Sequence, residues 1–146
     1  MTDKKSKINE ETALVELKAF LKKFNEREFR RGKLKDDVIK EQYIDILEGI
    51  MDGLIVFDSK MKPTFNLRYP IETESKDKDL GVYQVEFRTR IKPSTKADLM
   101  DGLNPEKSAA KFSLRFMAYI TGLSISELDK LEQVDYDVLN QICSVF

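Results

Sequence analysis

Few residues of this sequence have side chains suited to catalysis. The chain has no histidine, which removes the commonest general base and the commonest zinc ligand. It has one cysteine, Cys143, in an apolar run with no histidine to activate it. A single cysteine can form neither an internal disulfide nor a multi-cysteine metal site. We interpret Cys143 as a packed helix residue and not as a nucleophile, because free cysteine is mostly a small buried hydrophobe.

The carboxylates also lack the spacing of a catalytic or metal site. The pairs Glu10–Glu11 and Asp36–Asp37 stand where helices are predicted to begin, and acidic side chains there favour the helix dipole. The run Asp77-Lys78-Asp79 lacks the glycine and the distal glutamate of a calcium loop. The six glycines are scattered, and none forms a phosphate-binding loop. The sequence therefore predicts no catalytic residue, no metal, no cofactor and no enzyme.

Length and composition fit one soluble domain. The chain has 146 residues, of which 41% are hydrophobic, with 25 basic and 26 acidic side chains. This balance disfavours a dedicated nucleic-acid binder, which usually presents a net basic surface. No stretch approaches the roughly 18 apolar residues of a membrane helix. The polar residues 1–7 are expected to be disordered, and they lack the apolar core of a signal peptide. We expect an intracellular protein that binds no membrane.

Two amphipathic helices are predicted before residue 53. Asn9 is expected to cap the first, whose apolar stripe also contains Phe20. The pattern stops around Gly32, a plausible turn, and a second helix begins near Asp36. Together they form a helical hairpin. The first stripe has near-heptad spacing, a seam pattern suited to another helix, and it predicts self-association through four residues: Leu14, Leu17, Leu21 and Phe24.

The period then changes to that of strands. Residues 54–57 form a short β-branched run, and in 64–69 apolar residues alternate with polar ones before Pro70 ends the strand. A charged connection at 72–81 leads to a second alternating run, 82–91. In these two longer strands, one face is predicted to be covered, by Phe65, Leu67 and Tyr69 and by Tyr83, Val85, Phe87 and Ile91. One covered and one wet face indicates an antiparallel hairpin.

The remaining residues are predicted to form short helices with clear boundaries. Pro93 precedes a helix that ends at Gly102, and Asn104-Pro105 caps the next, which stops at Gly122. Ser124 and Glu127 have capping-box spacing. Asp135 is expected to cap the last helix, whose apolar side is Leu139, Ile142/Cys143 and Phe146.

These elements predict an α+β fold. It consists of the N-terminal helical hairpin, a small antiparallel sheet of two to three strands, and a C-terminal bundle of three to four short helices. We divide the chain into an N-terminal helical extension, 1–53, and a β-hairpin plus helical domain, 54–146.

The order of elements after residue 63 resembles the small tail assembly chaperones of long-tailed bacteriophages. The order begins with a strand, a charged turn and a second strand that ends in a basic residue and proline. A helix start, a long helix, the sequence Thr-Gly-Leu-Ser and a closing helix follow. The resemblance covers 64–146, and compact family members lack residues 1–63. The matching residues are 64–71, 87–99, 120–124, Glu127, Leu128, Leu131, Asp135 and Tyr136.

The resemblance implies a non-catalytic protein that binds the tape measure protein while tail tube subunits polymerise around it. Its partners would be the tape measure protein, possibly the tail tube protein, and further copies of itself. It would act in the host cell cytoplasm and be absent from the mature virion. Such a chaperone must offer apolar surface to a helical client. The candidate residues lie on the C-terminal helices, although helical spacing fits intradomain core equally well: Phe116, Ile120, Leu128, Leu131 and Leu139.

Two alternatives stay open from the sequence. A virion structural component, such as a tail completion protein, shares much of this pattern. A small helix-turn-helix regulator would use the basic run between the two N-terminal helices, although Glu26, Glu28, Asp36 and Asp37 interrupt or flank it. The basic residues are Arg27, Arg30, Arg31, Lys33 and Lys35.

Overall fold

The N-terminal helices form a hairpin in which each arm is broken once. The computed structural model describes residues 8–32, 34–72, 82–104 and 106–146. The breaks fall at Asn25 and Tyr43, whose side chains meet with the Asn25 amide 3.4 Å from the Tyr43 hydroxyl. The turn between the arms contains Gly32 at a φ of 66°, as predicted. The helices are α1 (Glu10–Phe24), α2 (Glu26–Arg30), α3 (Asp36–Gln42) and α4 (Ile44–Met51).

The helix starts in this part follow the predicted rules. The side chain of Asn9 accepts a hydrogen bond from the Thr12 amide at 2.8 Å. The carboxylate pairs at 10–11 and 36–37 occupy the first turns of α1 and α3, where they oppose the positive end of the helix dipole.

In the described residues after α4, three antiparallel strands form a sheet in the order β1-β2-β3. They are β1 (Ile55–Phe57), β2 (Pro63–Ile71) and β3 (Val82–Glu86). Phe65 on β2 is the centre of the sheet, since it pairs with Ile55 on one side and Val85 on the other. The predicted hairpin is thus confirmed, although β2 continues through Pro70, where the sequence predicted it to end. Residues 1–7 and most of the charged connection at 72–81 lie outside the described residues.

A large irregularity between β2 and β3 overturns the predicted facing of two tyrosines. Asn66 pairs with Gln84 and Ile71 with Val82, so four residues of β2 lie opposite one residue of β3. The alternation beyond this point is shifted. Tyr69 and Tyr83 are therefore 49% and 51% exposed, and Val82 is buried in their place.

Asp135 explains this irregularity. It was predicted to cap the last helix, but that helix begins at Gln133, and the Asp135 side chain is only 1% exposed. One of its carboxylate oxygens accepts from the Arg68 amide at 3.1 Å and the other from the Tyr69 amide at 2.9 Å. The carboxylate thus accepts hydrogen bonds from two backbone amides of the irregular segment. These two bonds connect the last helix to β2.

Four helices follow in the described residues after β3, and the last of them packs against β2. They are α5 (Pro93–Met100), α6 (Ala109–Thr121), α7 (Ile125–Asp129) and α8 (Gln133–Val145). The predicted capping box is present at Ser124 and Glu127. The cap predicted at Asn104 is not that of α6, which begins later, at Ala109. Asn104 instead accepts from the Glu106 amide in a preceding turn.

The predicted α+β class is confirmed, with N-terminal helices, a three-stranded antiparallel sheet and C-terminal helices. One hydrophobic core joins these parts: Leu17 and Ile50 belong to the same buried cluster as Phe65 and Leu139. Contacts of α4 with β1 and α8 cross the predicted boundary at residue 53. Cys143 is buried in this core, as the sequence predicted.

Gly122 ends α6 in the predicted left-handed conformation. Its φ is 74°, and its amide donates to the Ala118 carbonyl at 2.9 Å. Because a β-branched residue strongly disfavours positive φ, Gly122→Val is expected to destabilise the protein by about 2 kcal/mol. For a domain of this size that lowers the melting temperature by about 4–8 °C. The matched control is Gly122→Asn, since asparagine tolerates this conformation; equal melting temperatures for the two variants would contradict the assignment.

Candidate partner-binding groove

The five predicted partner-binding residues do not share one accessible surface. Ile120, Leu128 and Leu139 are buried in the core. Phe116 and Leu131 are half-buried and pack against that core. Only these last two present side-chain surface that a partner could contact without rearrangement of the fold.

The four predicted self-association residues are used within the chain. Leu14, Leu17 and Leu21 are buried in the core shared with α4. Phe24 is half-buried, and its ring lies 5.4 Å from that of Phe20 and 5.1 Å from that of Phe146. Self-association of the chain stays a prediction. It would need a surface other than this stripe, because the stripe packs against α4 of its own chain.

An apolar groove lies between α6 and α8 and is bordered by α5. Its volume is about 280 Å³, and three phenylalanines surround it together with Met117 and the buried Cys143. The polar contributors are one cation, Lys96 of α5, and three neutral side chains. The lining residues are Lys96, Phe112, Ser113, Phe116, Met117, Asn140, Cys143, Ser144 and Phe146.

A second hollow of about 290 Å³ adjoins the first across Phe112. It lies between Met100, in the last turn of α5, and the start of α6. Phe112 and Ser113 line both spaces. The Phe112 ring stacks on Phe116 at 6.1 Å between centroids and 20° between planes. We name the two hollows and this ring pair the partner-binding groove.

The groove belongs to an unusually thinly packed part of the fold. None of the described residues from 88 to 116 is buried, although this stretch contains all of α5 and the first two turns of α6. Its larger apolar side chains are partly covered instead, and they are Ile91, Leu99, Met100, Leu103, Phe112, Leu114 and Phe116. These partly exposed side chains leave some apolar surface that a partner could contact.

The C-terminal half of α6 supports the groove. Met117 and Ile120 are buried, so the second half of the helix is fixed in the core. The Arg88 amide donates to the Ile120 carbonyl at 2.8 Å, and the Arg88 guanidinium lies 4.6 Å from the centre of the Tyr119 ring. The segment just after β3 is thereby attached to the end of α6.

The lining of the groove is better suited to binding an apolar segment than to catalysis. Burial raises the pKa of the Cys143 thiol from 9.0 to about 12, so this thiol is kept protonated at neutral pH, and a protonated thiol is a poor nucleophile. Within the described part of the chain, no three Cys, Asp or Glu side chains lie close enough to hold a metal ion.

Sequence reasoning identified Phe116 but missed most of its neighbours. Phe112 had a signal, since it lies four residues before Phe116 on the same helix face. No sequence pattern placed Lys96 or Phe146 beside Phe116, because these two residues reach the groove from α5 and from the end of α8. Their placement depends on how three helices pack.

The basic run of the N-terminal hairpin lies at the surface. Arg27, Arg31 and Lys35 are exposed, and the exposed Arg30 is 3.5 Å from Glu26. Lys33 lies outside the described residues. The interspersed carboxylate moderates the positive charge of this end of the hairpin.

Comparison with known proteins identifies no relative. No family model, no curated protein and no solved structure matches this chain. In the four described segments, no helix is both long and apolar enough to cross a membrane. The groove itself is therefore the structural basis on which a function can be proposed.

Proposed function

We propose that the chain is a non-catalytic bacteriophage tail assembly chaperone. It binds the tape measure protein through the partner-binding groove and keeps that long helical protein soluble while the tail tube assembles. It acts in the host cell cytoplasm and leaves before the virion is complete. The observation that carries the proposal is the groove around Phe112 and Phe116, in a stretch none of whose described residues is buried.

The apolar lining of the groove suits the apolar face of a helical client. A partner helix laid along α6 would bury the half-covered rings of Phe112 and Phe116, and burying one such side chain contributes about 1.5–3 kcal/mol. A few contacts of this size give an affinity weak enough for tube subunits to displace the chaperone. The resemblance of residues 64–146 to tail assembly chaperones supports the same conclusion, and α5, α6 and the groove lie within that region.

Co-expression with the tape measure protein of the encoding phage tests the proposal. The chain is expected to raise the soluble fraction of the tape measure protein and to copurify with it. Phe112→Ser should weaken this association about tenfold or more, since about 1.5 kcal/mol corresponds to a factor of ten. Phe112 lies outside the main core cluster, so the variant should keep its melting temperature.

Val15→Ser is the matched control, because Val15 is 67% exposed on α1, outside the groove. It removes an exposed apolar side chain and should leave the association unchanged. Equal solubility of the tape measure protein with and without the chain would refute the proposal. Mass spectrometry of purified virions provides a second test, since stoichiometric amounts of the chain in the particle would identify a structural component instead.

A further inference from the structure

Helix α5 borders the groove and contacts the fold through α6. It has no buried residue, and both of its ends have hinge-like features. Pro93 occupies its first turn, preceded by extended Lys92, and Gly102 follows it at a φ of 75°. The nearest buried residues in the described chain are Phe87 before it and Met117 after it.

Among the hydrogen bonds of the described residues, two from one α6 side chain attach the end of α5 to the fold. The Arg115 guanidinium donates to the Leu99 carbonyl at 3.2 Å and to the Asp101 carbonyl at 2.8 Å. These are the free carbonyls at the C-terminal end of α5, where a cation also opposes the helix dipole. The half-buried Met100 adds apolar contact, since it lines the smaller hollow beside Phe112.

An attachment of this kind opens easily. Eight residues are too few to form a stable helix in isolation, so α5 depends on its contacts with α6. Segments with few buried apolar contacts open locally at much lower free energy than the core. Opening of α5 would uncover the Phe112 side of α6, because Lys96 and Met100 form the α5 walls of the two hollows.

We infer that α5 is a displaceable cover that competes with the partner helix for the surface of α6 around Phe112. The inference rests on the proposed docking function of the groove. In the closed state α5 shields apolar surface that would otherwise promote aggregation of the free chaperone. The apparent affinity for a partner is lowered in proportion to the closed population, so weakening the attachment must tighten binding.

Hydrogen exchange of the full-length protein tests the cover directly. In the wild-type protein, the amides of residues 94–101 are expected to exchange at least about 100-fold faster than those of 117–121, because opening is local. Arg115→Gln removes the bonds to the two carbonyls and should accelerate exchange at 94–101 about tenfold, with 117–121 unchanged. Met100→Ser should act in the same direction through the apolar contact.

Lys111→Gln is the matched control for Arg115→Gln. Lys111 is an exposed cation on the same helix, and its replacement removes the same charge. It should leave exchange at 94–101 unaltered. Comparable protection of 94–101 and 117–121, or equal exchange in Arg115→Gln and Lys111→Gln, would overturn the inference.

Binding of a defined peptide tests the competition. The probe is a fluorescein-labelled amphipathic helix of leucine, alanine and glutamate, about 20 residues long so that it can fold. Arg115→Gln and Met100→Ser should each bind it about five- to tenfold more tightly than the wild type, following the larger open population.

The two proposals fail differently. If the peptide binds the wild type and both variants equally, α5 does not compete for the site, and the inference is wrong while the docking function stands. If the peptide binds none of them although exchange shows that α5 opens, the docking function fails, and the inference with it. Tighter binding together with faster exchange supports both.

Discussion

Replacing Asp135 with alanine is expected to lower the free energy of unfolding by about 4 kcal/mol, a factor of about 10³ in the folding equilibrium. The carboxylate is 1% exposed and accepts from two backbone amides, those of Arg68 and Tyr69. Alanine would leave both donors without their partner in a position from which bulk water is excluded. Each such loss costs about 1–3 kcal/mol. Urea denaturation of the variant and the wild type measures the difference.

Asp135→Asn separates hydrogen bonding from the loss of side-chain volume. The two amides use different oxygens of Asp135, whereas asparagine offers one oxygen and an amide group that cannot accept. We therefore expect Asp135→Asn to recover at most half of the loss. Asp137→Ala is the surface control, because Asp137 accepts only an exposed bond from Gln133 among those described, and its cost should stay below about 0.5 kcal/mol. Similar costs for both alanine variants would contradict the role given to Asp135.

Local rules predicted most helix boundaries because their causes lie within a few residues. Asn9 caps α1, the Ser124–Glu127 capping box opens α7, and Gly122 ends α6 at positive φ. In each case the side chain or backbone freedom acts on neighbours three or four residues away.

The errors in the sheet have a long-range cause. Strict alternation predicted that Tyr69 and Tyr83 would be covered, but both are about half exposed. The alternation fails because the Asp135 carboxylate, more than 60 residues away in sequence, takes the two β2 amides beside the irregularity. No residue pattern within the strand sequence indicates such a bond.

The site was only partly predictable because helical spacing does not distinguish a core from a binding surface. Leu139 and Phe116 both lie on apolar helix stripes, yet one is fully buried and the other borders the groove. The same ambiguity produced the self-association hypothesis for α1, whose stripe meets α4 of its own chain. Packing of α5, α6 and α8 decides which apolar residues remain accessible, and that packing joins residues such as Lys96 and Phe146.

The thiol of Cys143 is expected to react with iodoacetamide about 10³-fold more slowly in the folded protein than in the urea-unfolded chain at pH 8. Burial raises its pKa from 9.0 to about 12, and only the thiolate attacks the reagent. At pH 8 a thiol with the ordinary pKa is about one-tenth ionised, whereas a pKa near 12 leaves about one in 10⁴. Cys143 is the only cysteine, so the extent of labelling reports this position alone.

The pH dependence of labelling shows whether burial causes the slow reaction. The labelling rate of the folded protein should rise about tenfold per pH unit throughout pH 8–10, because its pKa lies above this range, while the rate of the unfolded chain levels off above pH 9. As a control, Cys143→Ala combined with Ser144→Cys moves the thiol one residue along α8, to an exposed position. That thiol should follow the unfolded profile in the folded protein. If the Cys143 rate also levelled off near pH 9, its sulfur would be solvated, and the apolar lining assigned to this side of the groove would be wrong.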